Sequence, residues 1–327
     1  MSTVTRTQPD RHLLFVTVLL CGAGLVMVTS ASVAFAYTKH ESAFYYSLRQ
    51  AVWMAIGFTA LFALSRFDYH KLRPLSELGK LAFALFIAHW IDRRGDRIND
   101  FQRGFLPYVA MLGGVLVLLM LQKDLGTSVV MVGIFVSAYW AGGGRMRHVV
   151  LMLAGLLLAF IALTIIEPYR FARLTSWVNP LADPLGTGFQ STQSIYGLAS
   201  GGFFGVGIGH SVEKYGWLPE AHTDFIFAII GEETGLIGTT LVMLGFLFVT
   251  WRGYRTSMRA PDTFGVTLAA SITTWIAFQA LLNMATVTNT LPVTGVPLPF
   301  FSYGGTALAS TLAAVGVLLS IARKGTT

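Results

Sequence analysis

The chain has 327 residues, of which 54% are hydrophobic and only 12% are charged. Because soluble domains carry about 25% charged residues, this composition excludes an ordinary soluble fold and indicates a polytopic membrane protein. The net charge of +7 does not indicate a nucleic-acid partner, since the basic residues lie in short clusters between apolar runs, as membrane topology requires.

Apolar runs long enough to cross about 30 Å of hydrocarbon recur along the chain. They are continuous rather than alternating, and lipid offers the backbone no hydrogen-bond partners, so they predict helices and not barrel strands. We therefore predict one all-α membrane domain over residues 1–327. The predicted spans are residues 13–36, 50–65, 105–121, 127–141, 149–166, 225–250, 263–286 and 304–322, with a shorter apolar piece at 76–91.

Basic clusters between the spans predict which loops face the cytoplasm. By the positive-inside rule these clusters, and both termini, are cytoplasmic. Four segments then lie outside, near residues 37–49, 122–126, 168–224 and 287–303. Residues 168–224 form a long loop, which we expect to contain short interfacial helices and to be functional. Residues 287–303 carry three prolines that bar a regular helix, so they predict a re-entrant loop near the same site.

One part of this topology is inconsistent. Residues 66–74 and 92–104 are both basic, and both should be cytoplasmic. Two cytoplasmic loops need an even number of crossings between them, yet only the piece at 76–91 separates these. Either this piece lies in the interface or re-enters, or one crossing is missing from the chain near residue 75.

The stretch LPEAHTDFIFAIIGEE, residues 218–233, concentrates ionisable groups at a predicted outer boundary. Asp224 begins a span, so it is either a helix cap or a catalytic group. His222 fits a packed boundary histidine better than a base. Glu232 and Glu233 lie about 12–13 Å deeper along the helix, where we expect them to brace neighbouring helices through Lys80 or an inner arginine.

Other outer residues also have two interpretations. Asp124, in QKDLGTS, either caps the next helix or belongs to the site, and Arg170 and Arg173 either anchor at the headgroups or hold a phosphate. The chain contains no P-loop, no GxSxG and no metal-spaced His/Cys cluster. Two classes remain, a transporter with acidic coupling sites and an enzyme that acts on a lipid-linked substrate at the outer face.

Four segments of this chain resemble signature segments of one family. They are LPEAHTDFIFAIIGEE, QKDLGTS, QSIYGLASGGFFGVGIGHS and LPVTGVPLPFFSYGG, and the family is SEDS, for shape, elongation, division and sporulation. The resemblance covers nearly the whole chain in order and is closest to the cell-division branch, with the elongation branch second. It implies a bundle of ten transmembrane helices in the family, of which this chain would have about eight or nine.

The resemblance locates the missing crossing. Family members carry a third helix and an outer loop before the segment that matches SELGKLA, whereas here DYHKLRP runs almost directly into it. About 40–50 residues would be missing near residue 75, judged from one span plus its loop. The missing loop carries an arginine and a tryptophan that matter in the family, and no residue here replaces them by motif.

The resemblance also implies a function. Members polymerise lipid II into peptidoglycan strands at the outer face of the bacterial cytoplasmic membrane, with a class B penicillin-binding protein as partner transpeptidase. For the division branch this implies other divisome proteins as partners and a septal location. The family's outer aspartate falls on Asp224, as general base or acceptor-positioning group. The expected substrate-binding residues are Glu220, His222, Arg170, Arg173, Lys214, Asp124 and Ser302.

The leaving pyrophosphate needs cationic stabilisation. Arg170, Arg173 and Lys214 are the local candidates, and a bound divalent cation such as Mg²⁺ is the alternative. Two other functions stay open beside the polymerase, namely a lipid II flippase or transporter and an inactive scaffold for a class B penicillin-binding protein.

Overall fold

The computed structural model describes residues 10–40, 44–66, 79–122, 124–166, 168–184, 186 and 188–325. Within these ranges the fold is all-α, with no strand. The helices are α1 (Arg11–His40), α2 (Tyr45–Arg66), α3 (Gly79–Arg94), α4 (Leu106–Leu121), α5 (Leu125–Ala141), α6 (Met146–Ile166), α7 (Pro168–Val178), α8 (Phe189–Gly201), α9 (Ile226–Met258), α10 (Thr263–Val287) and α11 (Gly305–Lys324).

Each predicted span coincides with one of these helices. In the described part of the chain, six helical stretches are long and apolar enough to cross a membrane: Arg11–Val33 in α1, Phe101–Leu121, which is α4 with the helical turn before it, and α2, α9, α10 and α11. Helices α5 and α6 are shorter apolar helices. The all-α polytopic fold is therefore confirmed, whereas the number of crossings stays a prediction. Residues 67–78, where the missing crossing was predicted, lie outside the described residues.

Helix α3 lies inside the bundle. It packs against α10 and α5, and Ala84, Ile87, Ala88 and Ile91 are fully buried. An interfacial helix would leave one face towards headgroups and water, so this packing argues against an interfacial position for α3, whereas a re-entrant piece and a missing crossing both stay open.

Helix α10 forms the centre of the bundle, in contact with α3, α5, α9 and α11. A second tight contact joins α2 to α11, where glycines allow the backbones to approach. A Cβ built on Gly316 would lie 2.6 Å from the carbonyl oxygen of Leu61, and one on Gly57 would lie 2.5 Å from Leu312 Cδ1. Small residues at such contacts are the usual means by which membrane helices associate.

The two predicted outer segments lie against each other. Residues 288–304 are non-helical, as their prolines require, and Val296, Leu298, Phe300 and Phe301 are buried. Residues 168–224 contain the short helices α7 and α8. From α7, Arg173 Nη1 donates to Val293 O at 2.9 Å and Trp177 Nε1 donates to Asn289 O at 2.9 Å. Their position relative to the membrane stays a prediction.

Helix α9 is interrupted within its apolar run. Gly235 has φ 66° and ψ −162°, a conformation that no helix contains. The predicted span 225–250 is therefore two helical pieces joined by a kink at Gly235. The sequence signal was weak, because TGLIG differs little from the apolar stretches on either side.

Candidate functional site

The segment that carries Asp224 is held at three consecutive carbonyls. Tyr303 N donates to His222 O at 2.9 Å, and Ser302 Oγ donates to Thr223 O at 2.6 Å. Asn283 Nδ2, from α10, donates to Asp224 O at 2.6 Å. The backbone of residues 222–224 is thus fixed by donors from α10 and from the turn that precedes α11.

The carboxylate of Asp224 is free for chemistry. It is partly buried, and in the part of the chain described no donor forms a hydrogen bond to it. Burial raises its pKa to about 6, and the nearby charges of Glu220 and Asp124 add to the shift. At pH 7 the group is largely ionised and yet more basic than an exposed aspartate.

His222 and Glu220 precede Asp224 in the same segment. The His222 ring packs among Phe35, Tyr46 and Tyr303, with ring centroids 5.2, 5.4 and 5.9 Å away. Burial lowers the pKa of His222, so the ring is neutral at pH 7. This supports the interpretation as a packed boundary histidine. Glu220 is exposed, has φ 56°, and accepts a hydrogen bond from Thr223 Oγ1 at 2.6 Å.

A cavity of about 700 Å³ opens beside these two residues. The C-terminal end of α1 forms one wall, and residues between 214 and 222 form the other. Its lining is mainly apolar, with Glu220 and His222 at its edge. A cavity of this size and character suits a small-molecule ligand with an apolar portion.

Lys214 lines this cavity, but its ammonium already has partners. The ammonium is buried and lies 2.9 Å from Glu233 Oε1, and it also donates to Ser30 Oγ at 3.1 Å. A role for Lys214 in substrate binding stays a prediction. Glu233 is a brace as predicted, but its partner is Lys214, from the outer loop, and not an inner arginine; the side chain of Lys80 lies outside the described residues.

Glu232 holds the same loop from the neighbouring position. Its carboxylate accepts hydrogen bonds from Ser211 Oγ and, at 2.8 Å, from Val212 N. Glu213 lies beside it, and burial together with the charge of Glu232 raises the pKa of Glu213 to about 7. The two acids of α9 therefore fasten residues 211–214 to the membrane helix, as expected of structural groups.

Three further candidates make structural contacts. Asp124 caps α5, since its carboxylate accepts from Thr127 N at 2.8 Å. Ser302 is buried and uses its hydroxyl to accept from Leu298 N and to donate to Thr223 O, so in this structure it positions the backbone, and its role as a substrate ligand stays a prediction. Arg173 is partly buried in its bond to Val293 O. The side chain of Arg170 lies outside the described residues.

The sequence did not predict the side-chain amides of Asn283, Gln279 and Gln50, which hold the backbone around the site. Asn283 Nδ2 also donates to Val296 O at 2.7 Å, Gln279 Nε2 donates to Pro297 O at 2.8 Å, and Gln50 Nε2 donates to Ser302 O at 3.2 Å. A usable signal existed: Gln279 and Asn283 are polar residues four apart in an apolar run, and therefore lie on one face of the helix.

The described residues do not form a metal centre. No group of three or more His, Cys, Asp or Glu side chains among them is placed to hold an ion. Glu220 and Asp124 act on Asp224 through their charge without converging on a common point with it. A divalent cation therefore stays a prediction, and no chemical step below uses one.

Comparison with known proteins identifies the family. The model of the FtsW/RodA/SpoVE family, described as cell cycle protein, matches residues 11–76 and 71–327. This chain belongs to that family. It is 38% identical to stage V sporulation protein E of Bacillus subtilis, over 98% of this chain and 99% of that protein. It is 36% identical to the probable peptidoglycan glycosyltransferase FtsW of Geobacter sulfurreducens, over 96% and 95%.

Solved structures share the fold. A chain of a peptidoglycan synthase complex has a TM-score of 0.77 and 22% identity, over 96% of this chain and 98% of that one. The rod shape determining protein RodA of Thermus thermophilus has a TM-score of 0.67 and 22% identity, over 98% of each chain. The predicted family, fold and glycosyltransferase class are confirmed.

The family match also bears on the missing crossing. It divides into two pieces that meet at residues 71–76, the place where the sequence lacks a crossing. The alignment with the Bacillus subtilis protein spans 361 positions, whereas 98% of this chain is about 320 residues, so about 40 positions have no counterpart here. That number agrees with one helix and its loop.

Proposed function

We propose that this chain polymerises lipid II into glycan strands at the outer face of the bacterial cytoplasmic membrane, with Asp224 as general base or acceptor-positioning group. One observation carries the assignment of Asp224. Its carboxylate has no hydrogen-bond donor among the described residues, while the carbonyl groups of residues 222–224 are all held. A free carboxylate on a fixed backbone is what positioned proton transfer requires.

The proposed step is a single displacement. The 4-hydroxyl oxygen of the acceptor sugar attacks C1 of the donor sugar, and Asp224 takes the hydroxyl proton. The bond from C1 to the pyrophosphate oxygen breaks, and undecaprenyl pyrophosphate leaves with the electron pair. A base with a pKa of about 6 suits this step, since it is ionised at pH 7 but still accepts a proton in the transition state.

The leaving pyrophosphate needs a cation, and the ammonium of Lys214 is already paired with Glu233. Arg49, at the outer end of α2, takes its place in our proposal. It is exposed, Nη1 lies 2.9 Å from the hydroxyl of Tyr45, and its charge acts on Tyr303, which packs against His222. Arg170 stays a candidate for the same role.

The proposal includes a partner and a location. A class B penicillin-binding protein would crosslink the strands made here, as the likeness to a chain of a peptidoglycan synthase complex supports. The cell-division branch, other divisome proteins, a septal location and cytoplasmic termini follow from the sequence resemblance and the positive-inside rule.

Polymerisation of purified lipid II tests the proposal. The protein is reconstituted with its partner, and glycan polymer is followed on gels. We expect Asp224→Ala to lose about 10²–10⁴-fold in rate, while inserting and folding normally because the carboxylate holds no other group. Full activity in this variant would exclude the catalytic role.

An inactive scaffold is the second candidate, because the family match is interrupted at residues 71–76. A scaffold binds the transpeptidase but makes no polymer. Adding a third helix and outer loop from a relative at this point separates the cases: polymer formed only after the addition assigns this chain to the scaffold class, and polymer formed without it supports the polymerase. Movement of lipid II across vesicles without polymer would indicate a flippase.

A further inference from the structure

The break in α9 is filled by backbone from another part of the chain. In a continuous helix Leu236 N would bond to Glu232 O, and Ile237 N to Glu233 O. Here Val206 N and Gly207 N donate to those two carbonyls, at 2.9 and 3.0 Å. The two released N–H groups donate instead to Gly202 O and Phe203 O, at 2.9 and 3.3 Å.

The inserted segment, residues 201–209, is called the glycine hairpin below. Its sequence, GGFFGVGIG, contains only glycine and apolar residues. The glycines allow it to fit: Gly202, Gly205 and Gly207 have φ of 53°, 81° and 103°. A Cβ built on Gly205 would lie 2.2 Å from Glu233 O. Larger residues could not approach the open helix so closely.

The glycine hairpin meets α9 inside its membrane span. Gly235 lies nine residues after Ile226, which corresponds to about 14 Å along the helix. Helix α9 has 33 residues and is about 50 Å long, more than the about 30 Å of the hydrocarbon core. Counted back from Arg252, at the predicted cytoplasmic end, Gly235 lies 17 residues or about 25 Å away, which is in the outer half of the core and near its outer boundary. Irregular backbone is tolerated at that depth where other backbone satisfies its polar groups, as the exchanged bonds do here.

The side chains of the glycine hairpin point away from the protein. Phe203 is 69% exposed and Phe204 is 82% exposed, and Val206 and Ile208 are exposed as well. This surface continues onto α9, where Leu236 is 54% exposed and Leu241 is 63% exposed. Phe203 adjoins that face directly, through its bond from Ile237 N.

We propose that the glycine hairpin inserts Phe203 and Phe204 among the acyl chains of the outer leaflet. The occupant is lipid because the surface is continuous with the exposed face of a membrane helix and presents bulky apolar side chains, whereas contacts between membrane helices favour small residues. The insertion also reaches the candidate site: the residues whose carbonyls hold the hairpin, Glu232 and Glu233, fasten residues 211–214 with their side chains. Lipid contact thus helps to set the depth of the loop that leads to Asp224.

Spin labelling tests the insertion. Cys21 is buried and is the single cysteine, so Cys21→Ala gives a background without reactive thiols. Phe204→Cys is labelled in liposomes containing the full-length protein, and collision with oxygen, which concentrates in hydrocarbon, is compared with collision with a water-soluble nickel chelate. Leu241→Cys provides the lipid reference and Glu220→Cys the water reference. We expect the oxygen-to-nickel ratio at Phe204 to match Leu241 and to exceed Glu220.

Two results would overturn the proposal. A ratio like that of Glu220 would place the hairpin in water. Low collision with both reagents would mean that protein, including a second copy of the chain, covers it. Phe203→Cys is measured in parallel, and only labelled protein that elutes as a single gel-filtration peak is used, so a misfolded variant cannot decide the outcome.

Discussion

The starts of α5 and α9 share one sequence pattern, an aspartate before an apolar helix at the predicted outer face, and use it differently. The Asp124 carboxylate turns back to Thr127 N and caps α5, whereas no side chain caps α9 and the Asp224 carboxylate stays free. An acid at this position normally satisfies an N–H group of the first turn. The free carboxylate therefore needs a separate explanation.

The explanation lies in what holds each backbone. Residues 222–224 are fixed at every carbonyl by donors from α10 and from the turn at 302–303. Phe225 takes the N-cap position of α9, and the fixed backbone holds Asp224 before it. An aspartate at a helix start therefore becomes available for chemistry when other parts of the protein fix its backbone. Removing those anchors should weaken the difference between the two helix starts.

The variant with the largest expected effect breaks the buried ion pair between Lys214 and Glu233, which fastens residues 211–214 to α9. Lys214→Met leaves Glu233 buried without a counter-charge, and such a change costs about 3–5 kcal/mol. We expect a lower thermal unfolding temperature in detergent and a parallel loss of polymerisation, because the loop that leads to Asp224 is released. Unfolding is followed by intrinsic fluorescence.

The matched control changes both partners. Lys214→Met combined with Glu233→Leu leaves no unpaired charge, and replacing a buried pair with apolar side chains is often nearly neutral. This double variant should recover most of the stability. If the single variant were as stable as the wild type, the ion pair would not be a brace.

Asn283→Ala tests the anchor that holds Asp224 itself. The change removes the bonds to Asp224 O and Val296 O, and a displacement of about 1 Å at a reacting group can cost about 10²-fold in rate. We expect kcat to fall by about that factor with little change in KM. Gln279→Ala, one turn away on α10, removes a bond to Pro297 O without contacting Asp224, and should cost much less. Equal losses in the two variants would contradict a specific anchor.

The pH dependence of the wild type is the next test. Asp224 must be ionised to act as a base, so kcat/KM should fall about tenfold per unit as pH drops below about 6. Stability should change in the opposite direction. Burial raises the pKa of Asp224 from 3.8 to about 6, so the folded state keeps a proton that the unfolded chain has lost, and stability falls as pH rises from about 4 to about 6. Glu213 adds the same sign between about pH 4.5 and about pH 7. A protein that loses stability and activity together on acidification would instead be unfolding.

The helices were predictable because lipid imposes a simple rule on them. Continuous apolar runs gave every span, and the prolines of residues 287–303 gave the irregular outer segment. The conflict near residue 75 was predictable too, since charge alternation is a counting argument. Each of these signals is local or additive along the chain.

The contacts of the site were not predictable, because they join distant segments. Lys214 was assigned to substrate since an outer lysine near an acidic stretch suits a phosphate, and its true partner lies 19 positions away on a membrane helix. The glycine hairpin forms hydrogen bonds to α9 through main-chain atoms, and such bonds cannot be predicted from residue types. For the same reason the sequence left Asp124 and Asp224 equivalent, and the family resemblance alone favoured Asp224.

The smallest expected effects distinguish the helix-capping role of Asp124 at the start of α5 from the effect of its negative charge. Asparagine caps a helix as well as aspartate does, so Asp124→Asn should leave stability unchanged, whereas Asp124→Ala should cost about 1 kcal/mol. Both variants remove a charge that raises the pKa of Asp224, so both should move the acid limb of the activity profile slightly and equally to lower pH. Glu220→Gln removes the larger of the two carboxylate contributions and should move it further. If Asp124→Asn abolished polymerisation instead, Asp124 would act on the substrate directly, and the starts of α5 and α9 would belong to one site.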